Sequence, residues 1–236
     1  MKQDELLLLH DDGYTTTLYP FFTDAEEVKG TILILHGMAE HHNRYREFTV
    51  FLNENGFDVY LYDHRGHGTD KKLEELGFIS EKRGWEKLIF DAVDVLSYLS
   101  EQKRGESLIL FGHSMGSLVA RGATECSDLC DAAVFCGSTA PSKIDSAAGL
   151  FATSLICLFK GKRHPSPWLN QELFGRKRYS SLSERTANDW LTRSHAAVGL
   201  YMNDPYCGFI CTAGFYHDLV KLGTHVTQPA NIKNPP

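Results

Sequence analysis

Residues 108–120 read LILFGHSMGSLVA. An apolar run of strand length meets a helical stretch across five residues, Gly112-His113-Ser114-Met115-Gly116. This context constrains the fold more than the pattern itself. A strand that turns directly into a helix at a serine holds that residue in a strained conformation with its hydroxyl exposed. Glycines on both sides are required because a Cβ there would strike the neighbouring backbone. The pattern predicts a strand over Leu108–Phe111, a helix over Ser117–Thr124, and a nucleophilic role for Ser114 between them.

The surrounding sequence repeats the same alternation. Glu5–Phe22 alternates around the turn signal Asp11-Asp12-Gly13, which predicts a hairpin. Continuous apolar runs at Thr31–Leu35, Phe57–Asp63 and Ala132–Cys136 predict strands buried on both faces. Between them, Arg44–Asn55 and Trp85–Glu101 carry apolar residues at helical spacing. In the second helix Leu88, Ile89, Ala92, Val95, Leu96 and Leu99 share a face. Strands alternating with helices from residue 31 to 138 indicate an α/β fold with a mostly parallel sheet.

After Ser138 the pattern changes. Residues 141–228 show helical patches at Lys143–Phe159, Glu184–Leu191 and Phe209–Leu222, separated by basic loops at Lys160–His164 and Arg176–Arg178. The division expected is an α/β core over 1–140, a helical cap over 141–228, and a loop over 229–236.

The net charge of −6 argues against nucleic acid as a partner. No stretch approaches the ~20 apolar residues of a membrane span, and the four leucines at Leu6–Leu9 follow acidic Asp4 and Glu5. The six cysteines lack zinc spacing. Cys126/Cys130 and Cys207/Cys211 read as small buried residues, and a reduced, cytoplasmic chain is expected. His36, His41, His42, His64 and His67 lack the His-X-X-X-His spacing of zinc hydrolases. Neither a metal nor a cofactor is expected.

An acyl-transfer serine needs oxyanion donors, a base and an acid that orients the base. The donors expected are the backbone N–H groups of Met115, directly after Ser114, and of Met38, in the loop His36-Gly37-Met38-Ala39-Glu40-His41 that ends the first buried strand. His36, Gly37, Gly112, His113 and Gly116 are expected to support the turn and the loop. His113 adjoins the nucleophile but points away from it, so it is not the base. Asp63 and Arg65 are expected to form an ion pair that fixes their loop.

Three segments together carry a resemblance. LHGMAEHHNRY (35–45), YDHRGHG (62–68) and GHSMG (112–116) resemble, in order and spacing, the monoacylglycerol lipase and lysophospholipase branch of the α/β-hydrolase superfamily. DWLTRSHAAVGLYMNDPYCGF (189–209) resembles the cap of bacterial members. The resemblance implies hydrolysis of carboxylic esters of single-chain lipids, a cap that shapes an acyl pocket, and contact with lipid aggregates. It places the nucleophile at Ser114 and the oxyanion positions at Met38 and Met115. Leu150, Phe151, Leu155, Ile156, Leu158 and Phe159 would suit an acyl chain or simply pack the cap.

In that family the acid and base follow the cap, each after a later strand. No matching Asp or His is present here. About two further strand–helix units of ~30 residues each are expected to be missing, and a missing C-terminal segment or a partner chain would complete the sheet. Within the chain the candidates are Asp145, His217 and His225. Asp145 also reads as a helix N-terminal carboxylate, and the histidines as surface or helix-end residues. Two other readings stay open: a catalytically impaired remnant that keeps an ester pocket, and a peptidase of the proline iminopeptidase type. The latter would need carboxylates for the substrate amine.

Overall fold

The computed structural model describes residues 4–174 and 185–231. β1 (Leu6–Leu9) and β2 (Thr15–Phe21) form the expected hairpin. β3 (Gly30–Leu35), β4 (Phe57–Tyr62), β5 (Ser107–His113) and β6 (Ala132–Cys136) follow. Helices α1 (Arg46–Glu54), α2 (Gly84–Gln102) and α3 (Met115–Cys126) connect them in alternation. Each lies within a few residues of its sequence expectation. The sheet order is β1-β2-β4-β3-β5-β6. β4, β3, β5 and β6 are parallel, and β2 joins β4 antiparallel.

The period of two in β3 is visible in its packing. Ile32 and Ile34 join Tyr19, Val59, Leu61 and Leu52 of α1 on one face. Leu33 and Leu35 join Tyr60, Tyr62, Leu108 and Leu110 on the other, beneath Leu88, Val95, Leu96 and Leu99 of α2 and Val119 and Ala120 of α3. Every residue of β3 is buried, as a strand between two helical layers requires. β6 pairs with β5 alone among the described residues, and Val134 and Phe135 on it are exposed.

The chain runs from β3 to β4 on one side and returns to β5 on the other, so the strand order reverses at β3. The register sets Leu35 beside both Tyr62 and Gly112, and His113 beside Cys136. The loops after β3, β4, β5 and β6 therefore leave the sheet at one level. A crevice beyond the carboxyl ends of parallel strands at such a reversal is where ligands bind in open α/β sheets.

Four helices follow β6: α4 (Lys143–Lys160), α5 (Pro167–Phe174), α6 (His195–Asn203) and α7 (Ala213–Val226). α7 packs on α4 and on the core helices α2 and α3. Two expectations are corrected here. The helix expected over 184–191 is a series of turns across its described part, 185–191. There Asp189 accepts hydrogen bonds from the backbone N–H groups of Arg185 and Thr186 and from the Thr186 hydroxyl, and such side-chain bonds compete with helix formation. The helix expected from Phe209 starts at Ala213, because Thr212 caps it by accepting from the Phe215 N–H. The basic segment Arg176–Arg178 lies outside the described residues. No helix among the described residues is long and apolar enough to cross a membrane.

Arg65 ties the hairpin to the core, and its partners differ from expectation. It forms paired hydrogen bonds to Asp91 of α2 (2.7 and 2.7 Å) and to Asp12 in the hairpin turn (2.7 and 3.0 Å), with its guanidinium 4.1 Å from the Tyr14 ring centroid. Asp63 is instead taken by His42 (2.7 Å from both Nδ1 and the backbone N). With Asp91 on its Nε–Nη2 edge and Asp12 on its Nη1–Nη2 edge, the guanidinium is fully committed. Arg65→Met would strand Asp91, which is 2% exposed, and is expected to cost about 3–5 kcal/mol in urea denaturation. Asp12→Asn, at an exposed turn, is expected to cost about 1 kcal/mol or less. Equal losses would show that burial of Asp91 does not set the cost.

Candidate active site

Ser114 sits between β5 and α3 with φ 52° and ψ −117°. A non-glycine residue at positive φ is strained by about 1–3 kcal/mol, so the surroundings must hold it there. They do so through backbone. A Cβ on Gly116 would lie 2.2 Å from the carbonyl oxygen of Leu35 and 2.6 Å from that of His36. A Cβ on Gly112 would lie 2.4 Å from the Gly116 carbonyl oxygen. The first turn of α3 is thus pressed against the end of β3 and against the strand leading into Ser114. The Ser114 N–H donates to the Cys136 carbonyl (2.8 Å), and the Ser117 hydroxyl donates to the Ser114 carbonyl (2.6 Å). Ser114 itself is exposed.

The loop after β3 lies against this turn. A Cβ on Gly37 would be 3.3 Å from the Ser114 Cβ and 2.8 Å from Glu40 Oε1. Two buried histidines shape the loop. His36 accepts from the His64 N–H at Nε2 (3.0 Å), so its Nδ1–H donates to the Gly37 carbonyl (2.7 Å). His67 accepts from the Ala39 N–H at Nε2 (3.1 Å), so its Nδ1–H donates to the Arg65 carbonyl (3.1 Å). Ala39 is held at φ 52°. These bonds need neutral rings, and burial keeps them neutral. It lowers the pKa of His36, and takes that of His67 down to about 3, with the nearby His36 adding to the effect.

Glu40 closes the loop on itself. It accepts from the Gly37 N–H (2.6 Å), the Tyr45 hydroxyl (2.7 Å) and Arg44. The Tyr45 oxygen in turn accepts from His113 Nδ1 (2.9 Å). Burial alone would raise the Glu40 carboxyl, but the bonds from His113 and Tyr45 and the Arg44 charge outweigh it and hold the group at about 2. His113 is therefore held by Tyr45.

The N–H groups of Met38 and Met115 have no hydrogen-bond partner among the described residues, and the same holds for those of Glu40, His41 and Gly116. Met115 is the first residue of α3, where the amide lacks an intrahelical acceptor and the helix dipole favours negative charge. Gly37 and Ala39, on either side of Met38, have their amides committed to Glu40 and His67.

The candidates for acid and base lie elsewhere. Asp145 caps α4 together with Ser142, whose hydroxyl donates to it (2.7 Å). His217 meets the Thr153 hydroxyl of α4 at 2.9 Å. His225 packs on Trp85 and meets Asn231 (3.1 Å). None of the eleven histidines hydrogen-bonds the Ser114 hydroxyl. One pairing has no counterpart in the sequence reading. His41 Nε2 meets Asp204 Oδ2, beyond α6, at 2.9 Å, and Cys207 stands beside them. The Gly208 N–H (2.9 Å) and the Tyr201 hydroxyl (3.1 Å) both donate to the Ala39 carbonyl. The segment after α6 is thus fastened directly to the loop after β3. Residues 163 positions apart in sequence carry no local signal of such contact.

The sequence model of the serine aminopeptidase, S33 family matches residues 26–236, and the chain belongs to that family. It is 30% identical over 105 residues to a monoacylglycerol lipase of Mycolicibacterium smegmatis, covering 44% of this chain and 35% of the relative. It is 30% identical over 101 residues to a monoglyceride lipase of Saccharomyces cerevisiae, covering 42% and 31%. The chain thus spans about a third of the length of these relatives. Among solved structures, a thermostable carboxyl esterase of Bacillus coagulans superposes with a TM-score of 0.79 at 24% identity, covering 93% of this chain and 71% of that one. That likeness establishes the α/β-hydrolase fold.

The loop generates a pH dependence with a definite sign. The Glu40 carboxyl falls from 4.5 when unfolded to about 2 when folded. Its contribution, about 3 kcal/mol, is present above pH 4.5 and is lost as pH falls from there toward 2. Glu40→Gln is expected to be less stable than the parent by up to that amount at pH 7. The gap should close between pH 4.5 and 2 in urea titrations read at successive pH values. A gap independent of pH would show that Glu40 acts through packing alone.

Proposed function

We propose that this chain carries the acyl-transfer half of a serine ester hydrolase. Ser114 is the nucleophile, and the Met38 and Met115 N–H groups receive the oxyanion. The substrates would be monoacylglycerols or lysophospholipids. The observation that carries the reading is the exposed Ser114 hydroxyl on a strained turn, beside two backbone donors left without partners. Attack of Oγ on an ester carbonyl would place the developing negative oxygen within reach of those donors. Each such donor is worth about 3 kcal/mol in the transition state. The preference for esters is supported by the names of the similar proteins, a monoacylglycerol lipase and a monoglyceride lipase. It is also supported by Glu40, the loop's own carboxylate, which is fully engaged within the loop and not free to hold the amine that an aminopeptidase substrate presents.

On this reading residues 1–140 form the core and 141–228 a cap. The apolar residues of α4 then change role. Ile144, Phe151, Leu155, Leu158 and Phe159 are exposed, so they suit contact with a lipid aggregate rather than the lining of a closed acyl pocket. A cytoplasmic location fits Cys130, Cys136, Cys157, Cys207 and Cys211, which form no disulfide among the described residues.

A second reading is favoured by the absence of an imidazole on Ser114. Without a general base the serine remains a weak nucleophile. The oxyanion donors and binding alone leave about 10³-fold over water. The two readings separate in the pH profile of fluorophosphonate labelling at Ser114. The expected result is labelling that is absent in Ser114→Ala and rises with pH through the alkaline range, with no plateau. A plateau above a midpoint near the histidine value, about 6.5, would mean that one of the chain's histidines serves as base. Equal labelling of parent and Ser114→Ala would overturn the nucleophile assignment.

A further inference from the structure

We propose that His41, Asp204 and Cys207 form a binding site for a divalent metal ion of the zinc class, one that fastens the segment after α6 to the loop after β3. The three side chains come from two distant segments, and each offers one ligand atom. Those atoms all lie within 4.8 Å of one another. An ion bound at about 2.0–2.3 Å in tetrahedral geometry needs ligand atoms roughly 3.3–3.8 Å apart. The present spacing meets that requirement after side-chain adjustments of an ångström or less.

His41 Nε2, which meets Asp204 Oδ2 at 2.9 Å, is the nitrogen that faces the cluster, and the ring is 2% exposed. A buried imidazole beside a carboxylate and a thiol offers a nitrogen ligand already placed against a second one.

The frame is already set by other bonds. Asp204 Oδ1 accepts from the Tyr206 N–H (2.9 Å), and the Asp204 carbonyl accepts from the Cys207 N–H (3.0 Å). Arg44, the nearby cation, is committed to Glu40 and lies over the Tyr201 ring. An imidazole, a carboxylate and a thiolate together suit zinc, whereas a thiol argues against magnesium or calcium. Burial and the Asp204 charge push the Cys207 thiol up to about 12, so without a cation it stays protonated. Metal binding would break the S–H bond, form the metal–sulfur bond, and release one proton to solvent. His41 would contribute its Nε2 lone pair, the ring proton that Nε2 now donates to Asp204 moving to Nδ1.

The site is independent of the chemistry assigned to Ser114, and its test needs no turnover. The metal-free full chain is titrated with Co²⁺. The expected result is one equivalent bound with a thiolate-to-cobalt charge-transfer band. That band should vanish in Cys207→Ser, and Asp204→Asn should weaken binding more than about tenfold. Zn²⁺ should raise the Tm of the parent and leave that of Cys207→Ser unchanged. Should Cys207→Ser not fold, the zinc-edge X-ray absorption spectrum of the parent decides, with one sulfur among nitrogen and oxygen ligands expected. A band that survives in Cys207→Ser, no thiolate band in the parent, or a zinc shell with no sulfur or several sulfurs would overturn the site.

Discussion

The close approach of α3 to the end of β3 governs this structure. At Gly116 the space a Cβ would fill lies 2.2 Å from a main-chain oxygen of the neighbouring strand. No side-chain adjustment relieves a clash with backbone, so the contact exists only because residue 116 is glycine. Its consequences run outward in order. α3 starts immediately beyond the strand, and Ser114 is held at positive φ and exposed. The first amide of α3 has no acceptor among the described residues. Overpacking of this kind costs about 1–3 kcal/mol elsewhere in protein cores, comparable to the strain Ser114 carries. The turn is held by packing, not by any bond the serine side chain makes.

The loop after β3 depends on a different device, neutral buried histidines used as backbone clamps. His36 and His67 each accept an N–H and donate to a carbonyl, a pairing open only to the uncharged ring. Desolvation makes that state secure near neutral pH. Glu40 is the charged counterpart, and its carboxylate draws the Gly37 amide, Tyr45 and Arg44 onto one centre. The amides on either side of Met38 are committed, whereas that of Met38 has no partner among the described residues.

The legibility of the sequence follows from the range of the interactions. Residues 31–138 were readable because strands buried on both faces must be continuously apolar, and α2 must repeat its apolar residues at helical spacing. Ser114, Gly112 and Gly116 were readable because their requirement is steric and local. The Asp189 turn was obscured by side-chain bonds that imitate a helix start. α6 was missed because its burial is shared with distant segments and leaves little periodicity. The choice of Asp91 by Arg65 and of His42 by Asp63, and the meeting of His41 with Asp204, are decided by tertiary placement. Charge type alone left several partners equally plausible. The proximity of Asp63 to Arg65 in sequence suggested the wrong pair, because Asp91 and Asp12 occupy the two edges of the guanidinium and His42 takes Asp63.

These two devices separate geometry from reactivity. The strained turn and its free amides are built by β3, β5 and α3, elements that support one another through backbone contact. His36 and His67 of the β3 and β4 loops are committed as neutral clamps, and His113 is held by Tyr45. Protonating His36 or His67 to serve as an acid–base group would dismantle the loop that positions Met38. The histidine richness of this rim, which at first suggests catalytic or metal chemistry around Ser114, therefore does the opposite for those residues: it spends their titration on architecture. His41 is the exception. It has one nitrogen on a carboxylate and the other buried and unpaired, it sits where the helical segment meets the loop, and no clamp role occupies it fully. A cation held by His41 Nε2 with Asp204 and Cys207 would fasten that segment to the loop while the clamps at His36 and His67 stay as they are.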